Sequence, residues 1–451
     1  MTPNDPKLKT VHAVCARSRV AALLSVTLLA ASGTVLAATF SSRERKEFRE
    51  YVTGTADTLV AHAEKRGSGV TWINVAKDDS SVEKMDFYRG NSGTSYFLLK
   101  AYVLTHDHKY LRTAEDGLAY IRSRATKEAG GLSLDPVENG LFVGNGGPGY
   151  TFLYAYQVTK DREYLRTAES FADRILAKPD FSPRSSPDII SGAAGAGIFL
   201  LKLYSVDKNR TYLNGAVKLG DSLIERAEPQ ERGVKWKTFD DNPEIDYYFV
   251  GFSHGPAGIG YYLERLYQVT RVPKYHDYAM KAQDYIESIA VHEKNYVKWY
   301  HEELARKTRF SSQWCHGAPG MNPFFIVLYQ DTKDRRFLDW IEQNTNYLLD
   351  QGVNVRKNGS VCHGVSGNLG SLLAVYQATR RPDYFADLRE GIGILEGSAL
   401  REPEGYSWTP PELKVDYGYM TGIAGIGDFF AWLASDGKRH MISGLGYGDD
   451  F

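Results

Sequence analysis

One short phrase, Gly-x-x-Gly followed by an apolar run, returns seven times and restricts what this chain can fold into. The copies begin at Gly90 (GNSG), Gly146 (GGPG), Gly192 (GAAG), Gly255 (GPAG), Gly317 (GAPG), Gly364 (GVSG) and Gly422 (GIAG). Self-similarity at such a period, 46 to 63 residues between starting glycines, marks a repeat architecture. Each apolar run is nearly continuous and ends near a Tyr or Trp, as expected of a helix buried on most sides. Between the runs lie stretches such as 109–122, 163–176 and 274–286, whose apolar residues fall at three- and four-residue steps. Those steps give a helix with one wet face, and Ser42 to Lys65 supplies another.

Buried helices alternating with half-exposed ones predict an all-α fold. The expected form is an α/α toroid, a double-layered barrel of seven helical-hairpin repeats over 39–440 with Gly-x-x-Gly at the inner helix starts. An open solenoid would leave its terminal buried helices uncapped. Glycine there allows a tight turn and close backbone approach. Extended pieces are expected only at places such as Gly233 to Phe239 and Val353 to Lys357, and 441–451 as a flexible tail.

Composition narrows the function classes. Hydrophobic residues at 43% and charged residues at 24% suit a globular domain, and a net charge of −1 gives no basic field for nucleic acid. Residues 1–37 read as a signal peptide or an N-terminal membrane anchor: Lys7, Lys9, Arg17 and Arg19 precede the uncharged run Val20 to Ala37. The domain is therefore expected to be exported (periplasmic or extracellular) or membrane-anchored. Of three cysteines, Cys15 lies in that leader, which leaves Cys315 and Cys362. A disulfide between them is one reading. Each is followed by His at the same place in a repeat, which a disulfide does not need and a metal site does.

Comparing the copies position by position separates scaffold from chemistry. The residue before the first glycine is Arg89, Asn145, Ser191, His254, His316, His363 or Thr421; the one before that is Tyr88, Gly144, Ile190, Ser253, Cys315, Cys362 or Met420. In a toroid all of these converge on one mouth. Two thiols and an imidazole suit Zn2+, and a catalytic zinc keeps a fourth position open. His254 could instead be a capping or hydrogen-bonded core histidine.

The phrases SHGPAGIGYYL, QWCHGAPG and VCHGVSGN resemble the lanthionine synthetase C-like family, and the likeness covers nearly all of 40–435. The resemblance implies zinc ligands at Cys315, Cys362 and His363, with His254 or His316 as the catalytic acid. It also implies a role for Asp188 in holding the imidazole, although Asp188 as a simple helix-start cap is the alternative. Lys357 matches a basic residue of glutathione-binding members, and Arg89 is a second substrate-binding candidate. The implied reaction adds a zinc-activated thiol to dehydroalanine or dehydrobutyrine, the partner being a dehydrated peptide or a small thiol such as glutathione. Export departs from the cytoplasmic habit of the family's cyclases. Two other readings stay open: a carbohydrate-active toroid enzyme, which needs paired carboxylates among Asp86, Asp188, Glu244 and Asp246, and a non-catalytic binding module.

Overall fold

The computed structural model describes residues 39–75, 81–128, 130–134, 138–178, 186–238, 248–301, 309–354, 358–410 and 413–435. The expected leader and tail, and Lys357, Glu244 and Asp246, lie outside the described residues. Fourteen helices are described. They are α1 (Ser42–Ala61), α2 (Asn91–Thr105), α3 (His108–Arg124), α4 (Gly146–Thr159), α5 (Arg162–Ala177), α6 (Ala193–Asp207) and α7 (Arg210–Glu225). Next come α8 (Pro256–Thr270), α9 (Pro273–Ser288), α10 (Ala318–Thr332), α11 (Arg336–Gln351), α12 (Val365–Thr379), α13 (Pro382–Gly397) and α14 (Ile423–Ala434).

The even-numbered helices carry the apolar runs and are buried along most of their length. Each packs on the next even helix, and α14 packs back on α2, so the inner layer is a closed ring. Every odd helix backs one inner helix: α3 on α2, and so on through α13 on α12. Helix α1 backs α14, so the first helix of the domain completes the last pair. The seam is tied by a buried ion pair, Lys100 Nζ to Asp428 Oδ1 at 2.6 Å, and by Met420 N–H donating to the Tyr88 carbonyl at 2.8 Å. The α/α toroid expected from the repeats is therefore the observed fold. Among the described residues no helix is long and apolar enough to cross a membrane.

Local signals explain the layer alternation. Six inner helices end on a left-handed residue: His106, Lys160, Lys208, Arg271, Lys333 and Arg380. Each gives its N–H to the carbonyl of a tyrosine four residues earlier, which turns the chain outward. The outer helix then starts on an Asp or Asn cap in three repeats, Asp107, Asp161 and Asn209.

Two sequence expectations need correction. Extended structure is more frequent than expected: six two-stranded hairpins are described, five of them following an outer helix. Of the named stretches, only Val234–Lys235 is strand, and Val353 and Asn354 are in a turn. Four of those five hairpins are pinned by a tryptophan: the indole N–H of Trp72, Trp236, Trp299 and Trp408 each bonds an outer-helix carbonyl thirteen residues earlier. Second, the phase of the second copy is set by Gly144, not Gly146. A Cβ on Gly147 would lie 2.8 Å from the Leu141 carbonyl, the clash that the last glycine of every other copy makes with the residue six earlier. Phe142 and Val143 therefore stand where Gly144 and Asn145 were expected.

Candidate metal centre

The seven segments before the inner helices are joined by backbone hydrogen bonds at one mouth of the ring. Tyr88 N–H donates to Phe142, Phe142 to Ile190, Ser253 to Cys315, Cys315 to Cys362, Cys362 to Met420 and Met420 to Tyr88, at 2.8 to 3.3 Å. This belt brings Cys315 and Cys362 side by side although 47 residues separate Gly317 from Gly364.

Both cysteine turns are clamped onto the helix that follows. A Cβ on Gly320 would meet the Trp314 carbonyl at 1.9 Å, and one on Gly367 the Val361 carbonyl at 1.8 Å. The backbones of these glycines keep ordinary dihedrals, so close approach rather than positive φ demands glycine here. Gly367→Ala must push the Cys362 turn off its helix. We expect metal affinity to fall about 10- to 100-fold, as for loss of other groups that orient ligands, read by competition with a chromophoric chelator. Helix α10 also carries Pro323, which leaves the Pro319 carbonyl without its helical donor. Ser371 Oγ supplies that hydrogen bond from α12 at 2.8 Å, locking together the two helices that follow the cysteines.

The ligand atoms of Cys315, Cys362 and His363 all lie within 4.8 Å of one another. Both cysteines are buried free thiols, so the disulfide alternative is not what the structure shows. Cys362 Sγ is the focus: Tyr88 Oη donates to it at 2.9 Å, and His363 Nε2 lies 3.8 Å away. Burial raises the pKa of both thiols, but Cys315 and His363 hydrogen-bond Cys362 and bring its thiol well down, while Cys315 goes up. Two thiols and an imidazole, one thiol already favoured as thiolate, fit a zinc ion.

His254 and Asp188 meet beside this cluster. Asp188 is fully buried; its Oδ1 accepts the Ser191 N–H at 2.8 Å and its Oδ2 lies 2.5 Å from His254 Nδ1. One oxygen thus caps the segment and the other contacts the imidazole. Burial alone would neutralise both groups, but their mutual attraction wins: Asp188 is held below the usual carboxylate range and His254 above the usual imidazole range. His316 stacks on His254 with ring centroids 5.4 Å apart and meets the His301 ring, tilted by 45°, at 3.7 Å. Its pKa is pushed down to about 2, first by burial and then by His301, His254 and His363.

Arg89 is bound to Asp416 at 2.9 Å, and its own N–H is capped by Asp86. It adjoins Tyr88, whose hydroxyl reaches Cys362 Sγ. Asp86 and Asp188 are each engaged in capping their own segment rather than facing one another as a catalytic pair. Sequence reasoning missed two contributors. The Tyr88 hydroxyl occupies the same repeat position as the two cysteines, so the comparison of copies held the signal. His301, with Arg309 donating to its Nδ1 at 2.9 Å, lies in a connecting segment outside the repeat phase.

The family profile described as lanthionine synthetase C-like protein matches residues 81–442. The chain belongs to that family. Among characterised relatives of this lanthionine synthetase C-like protein, the glutathione S-transferase LANCL1 of Danio rerio is 27% identical over 136 residues, covering 30% of this chain and 32% of the relative. The lacticin 481/lactococcin biosynthesis protein LcnDR2 of Lactococcus lactis subsp. lactis is 24% identical over 329 residues, covering 68% of this chain and 32% of that protein. The matches thus span about a third of the length of either relative. Among solved structures, nisin cyclase superposes with a TM-score of 0.66 over 91% of this chain and 99% of its own, at 15% identity, which establishes a shared fold.

Proposed function

We propose that this lanthionine synthetase C-like protein is a zinc-dependent enzyme that forms thioethers by adding a thiol to dehydroalanine or dehydrobutyrine. The observation that carries the reading is the meeting of Cys315, Cys362 and His363 at one mouth beside the Asp188–His254 pair. Cys315, Cys362 and His363 would hold the ion. When bound, zinc supplies a charge that lowers the pKa of a substrate thiol beside it.

The protein's own groups do the rest. As the new S–C bond forms at the β-carbon, the electron pair of the C=C bond moves to the α-carbon, which needs a proton. His254 gives its Nδ1 to Asp188, so the imidazolium carries its transferable proton on Nε2. His316, held neutral, is the poorer donor and serves as an uncharged, stacked wall for His254. The thiol hydrogen and sulfur end on the two former alkene carbons, and no group leaves. The lacticin biosynthesis and nisin cyclase likenesses support a dehydrated peptide as the partner. The segment 1–37, basic and then apolar, supports an exported or membrane-anchored domain.

A second reading has its own support. The likeness to a glutathione S-transferase suggests glutathione as the incoming thiol, with Arg89 and Lys357 as basic contacts for it. One assay separates the two. A peptide holding both dehydroalanine and cysteine is incubated with the enzyme, with and without glutathione. Cyclisation consumes the free thiol with no change in mass, whereas addition raises the mass by one glutathione. If neither occurs with zinc-loaded protein, the enzymatic reading is lost.

A further inference from the structure

The comparison of copies that exposed the thiol pair exposes a second cluster between repeats four and five. Counting back three residues from the tyrosine that closes an inner helix, the copies carry Leu99, Leu153, Leu201, Ile326 and Leu373, but α8 carries Glu264. Two residues after that tyrosine stand Leu104, Val158, Val206, Val269 and Ala378, but α10 carries Asp331. Just after the aromatic that opens an outer helix stand Leu111, Leu165, Leu213, Leu338 and Phe385, but α9 carries His276.

These three exceptions meet in space. Glu264, His276 and Asp331 present ligand atoms all within 4.8 Å of one another, from three separate helices. Glu264 is fully buried, and both its carboxylate oxygens lie against His276 Nδ1, at 2.9 and 3.1 Å. Arg271 lies 3.5 Å from Asp331, the second carboxylate, and is two-thirds exposed. Burial, with Asp331 adding to it against the pull of His276, pushes the Glu264 carboxyl up to about 7. Replacing three apolar residues by two acids and an imidazole at one point, with one carboxylate fully buried, is costly unless a cation compensates.

We propose that Glu264, His276 and Asp331 form a second metal site, for a divalent cation that accepts oxygen and imidazole ligands, such as Mn2+ or Zn2+. Asp331 is thirteen residues along α10 from its start, so the site lies roughly 20 Å from the thiols, toward the far end of the ring. It ties α8 to α10, the helices that follow His254 and Cys315. Its chemistry is hard where the thiol centre is soft, so the two should sort metals differently.

Mn2+ alone is the probe, since it disfavours thiolate. Isothermal titration of the full-length protein should give one Mn2+ per chain. Restoring the residues of the other copies in one variant (Glu264→Leu, His276→Leu, Asp331→Val) should remove that binding, by about 100-fold or more. The same variant should keep its helical circular dichroism and the sulfur-to-cobalt absorption of the cobalt-loaded thiol centre. Should the triple variant fail to fold, the isosteric Glu264→Gln is expected to lose Mn2+ in the same way. Wild type that binds no Mn2+ and no zinc beyond one equivalent would overturn the proposal, as would Mn2+ binding unchanged by Glu264→Gln.

Discussion

Cys362→Ala is expected to abolish both the thiolate-bound metal and thioether formation, the latter by on the order of 10³-fold, about 4 kcal/mol of transition-state stabilisation. The size of the effect follows from where the sulfur stands. Cys362 Sγ receives the Tyr88 hydroxyl, faces His363 and contacts Cys315, so its loss leaves one buried thiol and one imidazole. Two protein ligands are too few to retain zinc against solvent. The backbone at Cys362 donates to Met420 and accepts from Cys315, and neither bond uses the side chain, so the alanine variant should keep the belt and the fold. Cobalt substitution gives the cleanest reading, because sulfur-to-cobalt charge transfer reports only thiolate ligation. A variant that keeps this absorption and its rate of thiol consumption would remove the metal centre from the mechanism.

How much of this was legible in the chain depends on whether a feature repeats. The closed ring follows from seven phased glycine phrases, since each records the same event: a turn folding back onto the helix it precedes. The thiol and histidine positions were legible for the same reason, as departures from a shared pattern. The error at the second copy shows the limit. The stretch Gly144 to Gly149 reads as Gly-x-x-Gly in either of two phases, and only the contact of Gly147 with Leu141 decides between them. The hairpins escaped because strands of two or three residues carry too little alternation to read; for four of them the signal was a tryptophan at a fixed offset from the outer helix. His301 escaped because it belongs to a connecting segment with no counterpart in other copies, and only the fold lays it against His316.

The pairing of Asp188 with His254 makes the strongest statement about pH. His254→Gln should leave the cobalt spectrum intact and lower kcat by about 10² to 10⁴, the usual worth of a positioned acid. Asp188→Asn is the more discriminating change, because asparagine keeps an oxygen for the Ser191 N–H while removing the charge that faces His254. The sign follows from the two shifts. His254 lies above the ordinary imidazole value, so it stays protonated to higher pH, and both its acid function and its share of the ion pair fade as pH rises through that raised value. Asp188 lies below the ordinary carboxylate value, so it stays ionised across this range, and its contribution fades only as pH falls through the depressed value in strong acid. Removing the aspartate charge lets burial dominate and drops the His254 pKa. The alkaline limb of the kcat profile should therefore move to lower pH, with a deficit larger at pH 8 than at pH 6. An unshifted limb with intact metal would assign the proton to another group, and the neutral, buried His316 could fill that role only if its own environment changed on binding substrate.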